Sequence, residues 1–350
     1  MPAASLERAD RACLAQECLA AIGLLEEAVR LQPHDLRLHY RLGLCYGGSC
    51  RPHSWVRPAM AVPYLRQALA LIGPRPTRLR AGILEELGKS QLASEGEGES
   101  PGETLRAAMG SHLEAAGIYQ SLGIEDDWAR LEFNLGNSCC DLSDATGEDH
   151  WQEAIAHYQA SLLVRTREKD PQRYAAVLEN LGTAYRRLPA RPGGNDAGNT
   201  ITAIQCYRRA LAVYVPTAWP EQHAALQNNL GNAFLSLPQS AEKSPGRNAA
   251  RALRHFERAL RLQPDSRSRA FAITQYNCAQ AHLRLARVSP APDITLAAGC
   301  LEAAAAAFAA CGDARNCDRV RAQLERLSLA GSSHCAERLR RDQSTTLPKG

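Results

Sequence analysis

The chain has 350 residues, of which 45% are hydrophobic but only 5% aromatic, and its formal net charge is +4. So small a charge over that length does not mark a nucleic-acid binder, and an alanine- and leucine-rich, aromatic-poor composition favours packed helices over sheets. The 12 cysteines form no CxxC pair and no CxxCH motif, and Cys13/Cys18 and Cys45/Cys50 fit neither common zinc spacing, so buried small hydrophobes in a reducing compartment are expected in place of a metal or haem site.

Met1 to Arg8 has no basic region followed by an apolar core, so no secretory signal is expected there. Ser5 to Glu17 and Leu19 to Leu31 read as two helices, the second stopped by Pro33. Leu36 to Tyr46 and Ala61 to Leu69 follow, separated by a Gly/Pro/Cys-rich loop and closed by Gly73-Pro74. From Thr77 a third pair carries Leu84, Leu87, Gly88 and Gln91, then an acidic loop from Ser94 to Glu103 that should be mobile. Leu105 to Leu122 is its second helix, with Met109, Leu113 and Ala116 as the expected packed residues.

From Glu125 to Ala286 the chain is a repeat. Leu178-Glu-Asn-Leu-Gly-Thr-Ala-Tyr185 returns as Gln227-Asn-Asn-Leu-Gly-Asn-Ala-Phe234, appears earlier as Glu132-Phe-Asn-Leu-Gly-Asn-Ser-Cys139, and survives in degraded form around Asn277. Asn134, Asn180, Asn229 and Asn277 are 46, 49 and 48 residues apart, a period that signals stacked units. A second phrase interleaves with the first: Ala154-x3-Tyr158, Ala203-x3-Tyr207 and Ala252-x3-Phe256. Each unit therefore holds two helices, A and B. At 100° per residue Leu178, Leu181, Gly182 and Tyr185 share one stripe of the A helix. Gly182 and Ala203 should let the two helices approach, with Tyr207 and Ala210 packing against the next unit. The longest apolar run, Leu296 to Ala310, is short and interrupted by Glu302, a poor membrane span. The helix after Asp313, to about residue 328, reads as a cap, and 329–350 as a disordered tail.

These phrases resemble the tetratricopeptide repeat, whose apolar–x2–Leu-Gly–x2–Tyr and Ala–x3–Phe–x2–Ala positions are met by His39/Leu42/Gly43/Tyr46 with Ala61/Leu65/Ala68. They are met again by Leu178/Leu181/Gly182/Tyr185 with Ala203/Tyr207/Ala210, and by Gln227/Leu230/Gly231/Phe234 with Ala252/Phe256/Ala259 and Pro264. The longer period of the second half is similar to the long-insert arrays of bacterial signalling proteins. The resemblance implies an all-α solenoid, a right-handed superhelix of stacked antiparallel helix pairs with a C-terminal capping helix and a concave groove lined by A helices. The array would span 1–328, with regular repeats over 125–286 and less regular ones over 5–122.

Such proteins are mostly partner-binding scaffolds, so the resemblance implies a non-enzymatic adaptor for a protein or peptide. No GxSxG, HExxH, Walker or GxGxxG motif stands in a suitable context, and no cofactor or metal is expected. The site candidates are a ladder of carboxamides on the A-helix face away from the stripe: Asn134, Asn137, Asn180, Asn229, Asn232 and Asn277. A carboxamide both donates and accepts, so it can pair with any peptide backbone, as kinesin light chains, which this chain resembles, do with groove asparagines. The alternative is that these amides bond neighbouring helices or face water. Arg130, Arg187 and Arg284 fall on the same face and would suit an acidic partner, with Tyr276 beside them. The family's carboxylate clamp is not reproduced. A second reading rests on Arg247 to Arg287, which holds nine arginines against Glu257 and Asp265. That stripe could meet an anionic surface or nucleic acid, or be a solvated outer face. The expected setting is cytoplasmic, without a membrane span.

Overall fold

The computed structural model describes residues 18–49, 56–94, 100–189, 196–237, 246–289 and 294–328. The first helix, the heart of the acidic loop and the C-terminal tail expected from the sequence lie outside those residues. The chain divides into two compact units between Asp170 and Pro171. Among the described residues every regular element is helical.

The first unit holds α1 (Cys18–Leu31), α2 (Leu36–Gly47), α3 (Pro58–Ile72), α4 (Arg78–Ala93), α5 (Pro101–Ser121), α6 (Glu125–Thr146) and α7 (Trp151–Leu162). Local chemistry sets the ends of these helices. Asp35 accepts from the Arg37 N–H at 2.8 Å and Thr77 from the Arg80 N–H at 3.1 Å, each satisfying a first-turn donor. Ser100 and Glu103 form a reciprocal capping box at α5. At the other end of α2, Gly48 takes φ 79°, a left-handed cap that a Cβ would oppose. The even-numbered helices are the A helices and pack on the following B helix: α2 on α3, α4 on α5, α6 on α7.

The second unit holds α8 (Pro171–Arg187), α9 (Asp196–Leu211), α10 (Pro220–Ser236), α11 (Arg247–Arg261), α12 (Arg269–Val288) and α13 (Thr295–Ala310). A last helix, α14, spans 314–328. Pro171 and Pro220 open A helices, where a missing N–H leaves nothing unpaired. The final helix caps the stack: Cys317 and Val320 of α14 are buried against Leu301, Ala304 and Phe308 of α13. A helices also touch the next A helix along, α8 with α10 and α10 with α12. No successive B helices meet as extensively, so the A helices form the inner row of the unit.

The glycine of each repeat phrase sits beneath one large side chain of its own B helix. A Cβ on Gly182 would lie 2.7 Å from Cε1 of Tyr207, on Gly136 2.5 Å from Cε1 of Tyr158, and on Gly231 2.2 Å from Cε1 of Phe256. All three rings are buried. Tyr207 therefore lies on the A helix of its own pair, and its contact with Gly182 replaces the expected packing against the next unit. What the glycine admits is a ring edge, with helix approach as the consequence. The third pair follows the same rule in a register the sequence reading missed by one residue. His112 lies over Gly88, with its Cδ2 2.4 Å from a would-be Cβ, and Ala108 and Ala115 are buried beside it. Leu113, expected inside, is 48% exposed. The phrase is Ala108-x3-His112-x2-Ala115, hidden because histidine stands where an aromatic or leucine was sought. Burial holds the His112 ring below its ordinary pKa and so neutral at pH 7, as a packed ring must be.

Candidate functional site

In the second unit the inner row is built from two adjacent positions of each A helix. Three residues before the packed position stand Glu179 on α8, Asn228 on α10 and Tyr276 on α12; one residue later stand Asn180, Asn229 and Asn277. All six are half-buried. The rungs run between helices. Asn229 Nδ2 donates to Glu179 Oε1 at 3.1 Å, and Asn277 Nδ2 donates to Asn228 Oδ1 at 2.9 Å. Each amide thus reaches back to the earlier of the two positions on the preceding A helix.

The asparagines consequently divide by role. Asn229 and Asn277 each spend an amide N–H on the neighbouring helix. Their Oδ1 atoms, and the side chain of Asn232, have no partner among the described residues. Asn180 is engaged within the chain. Gln280 continues the row by donating to Gln323 Oε1 of α14 at 3.3 Å.

The cationic candidates are committed within the protein. Arg284 donates to the Leu235 carbonyl, tying α12 to α10. Arg187 is exposed and engaged. The Arg319 guanidinium lies 5.4 Å over the Tyr276 ring.

The first unit has its own version of the row. Asn137 Oδ1 accepts from Tyr158 Oη at 2.8 Å, and Asn134 is half-buried nearby. Arg130 is held as a fork, Nη1 to Glu85 Oε1 at 2.6 Å and Nη2 to Glu85 Oε2 at 2.8 Å, with Nη2 also 2.8 Å from Asp127. Lys89 adds a second cation 2.5 Å from Glu85. Burial alone would raise the Glu85 pKa, but the two cations outweigh it and hold the carboxyl below its usual value.

Glu179 occupies the same position on α8 that Glu85 occupies on α4, and its electrostatics are opposite. Burial pushes its pKa up from 4.5 to about 7, with no compensating cation. An acid whose folded pKa is raised binds more protons folded than unfolded between those values, so it subtracts stability as pH rises from 4.5 to 7. Glu179→Gln, which keeps the acceptor for Asn229, should therefore raise the melting temperature of the second unit at pH 8. The gain should approach about 3.5 kcal/mol, at about 1.4 kcal/mol per pKa unit, and vanish at pH 4. A scan at the two pH values checks it, and equal melting at pH 8 would show that Glu179 is well solvated.

The carboxylates are not marked in the sequence, where the recurring residue is the asparagine of the later repeats. The residue before it varies (Phe133, Glu179, Asn228, Tyr276), and only the stacking offset shows that Glu179 and Asn228 meet the next repeat's amide.

On the outer helices Arg247, Arg254, Arg258 and Arg261 of α11 are exposed and have no ion-pair partner among the described residues. Arg251 instead lies 5.6 Å over the Phe234 ring. His255 stacks on Phe234 at 5.3 Å and its Nδ1 lies 2.7 Å from Gln227 Oε1. Burial, then Arg258, Arg208 and Arg254, push its pKa down to about 4.

No family model matches the chain, and no curated protein matches it. Among solved structures it is similar to the C-terminal part of a TPR repeat-containing protein from Cytophaga hutchinsonii, at 12% identity and TM-score 0.55, covering 86% of this chain and 94% of that one. It also matches a Podosopora anserina putative kinesin light chain with nearly identical TPR-like repeats (17% identity, TM-score 0.44, 66% of this chain and 96% of that one). A third match is the MamA protein (16% identity, TM-score 0.45, 62% and 93%). The fold is that of a tetratricopeptide repeat solenoid.

Proposed function

We propose that this tetratricopeptide-repeat chain is a non-enzymatic scaffold that holds a segment of another protein along the inner row of A helices in its second unit. The observation that carries this reading is the set of half-buried carboxamides with hydrogen-bonding capacity left open among the described residues: the Oδ1 of Asn229 and of Asn277, and the whole amide of Asn232. None of these atoms is sealed from water, so a ligand that displaces that water must replace its hydrogen bonds, and an extended backbone supplies donors and acceptors whatever its side chains. Asn180, Tyr276, Arg187 and Arg284 border the row; in the first unit Asn134 and Asn137 hold the positions of Asn180 and Asn232, and Arg130 stands one turn before them. Arg130, Arg187 and Arg284 are each engaged within the chain, so these arginines lend no support to an acidic ligand. Eight cysteines among the described residues are free thiols, which suits a cytoplasmic, reducing setting. Among the same residues no helix is long and apolar enough to cross a membrane.

The test is a panel of short extended peptides bound to the full chain and to a variant carrying Asn180→Ala with Asn232→Ala. Affinity should fall about tenfold or more across the panel while the melting temperature moves by no more than a few degrees. Parallel loss of stability and binding would assign those amides to the fold.

The unpaired arginines of α11 favour a second reading, an anionic surface or nucleic acid docked on the outer helices. Arg254→Glu with Arg258→Glu should then abolish retention on heparin, and binding to a DNA duplex should fall steeply with salt, the slope tracking the phosphates contacted. A flat salt response would remove this reading and leave the inner row untouched.

A further inference from the structure

The same repeat position carries a glutamate in both units, but only one of the two has a cation. On α4, Glu85 stands three residues before the packed Gly88 and is clamped by Arg130 of the next A helix and by Lys89, four residues on along its own helix. On α8, Glu179 stands three residues before Gly182 and receives only the neutral Asn229 amide at 3.1 Å. The two positions that supply the cations in the first unit are occupied here by small residues. Arg130 lies six residues before Gly136; six before Gly231 is Ala225, which is exposed. Lys89 follows Gly88 directly, and Thr183, whose hydroxyl donates to the Glu179 carbonyl at 3.1 Å and lies 3.1 Å from Tyr207 Oη, follows Gly182. The second unit thus has the carboxylate with neither of the counter-charges that Glu85 has, and smaller side chains stand at both of those positions.

We infer that Glu179 is a receptor for a positively charged group, a lysine or arginine side chain or an N-terminal ammonium, carried by the protein segment that lies along the inner row. The inference rests on the scaffold reading above and adds a charge preference to it. It inverts the preference suggested by the arginines, because those are engaged within the chain while this carboxylate has no cation. The group burying Glu179 supplies no charge of its own: Asn229 faces it from α10, Tyr207 from α9, and Arg186 on its own helix is directed at Tyr207. A ligand cation would restore the pairing that Arg130 gives Glu85. An unpaired, partly buried carboxylate lowers stability, and such local violations of packing logic collect at functional sites.

The experiment uses the full chain, Glu179→Gln, and Ala225→Arg, which installs the internal cation. The probes are extended peptides with one position set to lysine, arginine, glutamate or norleucine, each with a free or an acetylated N-terminus. Wild type should bind a basic peptide about tenfold more tightly than its norleucine counterpart. That preference should disappear in Glu179→Gln, which should remain as stable as wild type or more so, and in Ala225→Arg. Dependence on the free N-terminus alone would identify the ammonium as the ligand group; persistence after acetylation would identify the side chain. Peptide binding that ignores basic residues, or an unchanged preference in Glu179→Gln, overturns the inference and leaves the scaffold reading standing. Failure of wild type to bind any peptide overturns both.

Discussion

Replacing Arg130 by alanine should destabilise the first unit by about 2–4 kcal/mol, a drop in melting temperature of roughly 5–10 °C for a unit of this size. The reason lies in what the substitution leaves behind. Glu85 has a side chain only 7% exposed and accepts both ends of the Arg130 fork, so truncating Arg130 strands a buried carboxylate. Lys89, 2.5 Å away, still reaches it, which keeps the loss below that of a wholly abandoned charge. Glu85→Gln combined with Arg130→Gln removes both charges, and that double variant should recover most of the loss. Acidification supplies a second control. In the wild type the contribution of Glu85 is present above its unfolded pKa of 4.5 and is lost as pH falls through its lowered folded value. The penalty in Arg130→Ala should therefore shrink at the acid end, where the stranded carboxyl is protonated. Calorimetry of both variants across pH reads all three expectations, and a melting temperature unchanged by Arg130→Ala would return this arginine to the list of residues free to meet a partner.

The contrast between Arg130 and Glu179 shows where the sequence stops being readable. The repeat phrase is local: Leu181, Gly182 and Tyr207 announce their packing by spacing alone, because a helix places residues three and four apart on one face. The fold class, the A/B alternation and the capping helix follow from such spacing. The inner row is different, since its hydrogen bonds join residues about fifty positions apart, such as Asn229 with Glu179. Which residue of one repeat meets which residue of the next depends on the stacking offset, and no local pattern encodes it. The sequence places the asparagines on one face of the A helices, yet could not reveal that two of them reach back to the preceding helix. Nor could it tell a cation that has a counter-charge, Arg130, from a carboxylate that lacks one, Glu179. His112 shows the other kind of failure: the spacing was present in Ala108-x3-His112-x2-Ala115, but residue type was weighted above position.

Gly231→Ala should be destabilising even though alanine is the better helix former by about 1 kcal/mol. The added Cβ would stand 2.2 Å from Cε1 and 2.6 Å from both Cδ1 and Cζ of Phe256, a ring with no exposed surface and nowhere to turn. Overpacking of this kind costs about 1–3 kcal/mol, and the distance is shorter than at any of the other lidded glycines, so a net loss of about 1–2 kcal/mol is expected after the propensity gain. Gly43→Ala should cost somewhat less, because its Cβ would meet Cδ2 and Cγ of Leu65 at 2.6 and 2.7 Å, tight against a buried side chain but less so than at Gly231. Gly299→Ala provides the sign control: nothing lies within 4 Å of its Cβ position, so only the propensity gain remains and stability should rise. The decisive variant is the pair Gly231→Ala with Phe256→Ala. Truncation to alanine removes Cε1, Cδ1 and Cζ, the three ring atoms that the new methyl would meet. If the ring edge is what demands glycine, the double variant should be more stable than the sum of the single losses predicts, with a coupling of about 1 kcal/mol. Additive losses would mean that the glycine serves the approach of the two backbones, and the packing rule drawn from α8, α10 and α6 would have to be replaced by one in which the lid is incidental.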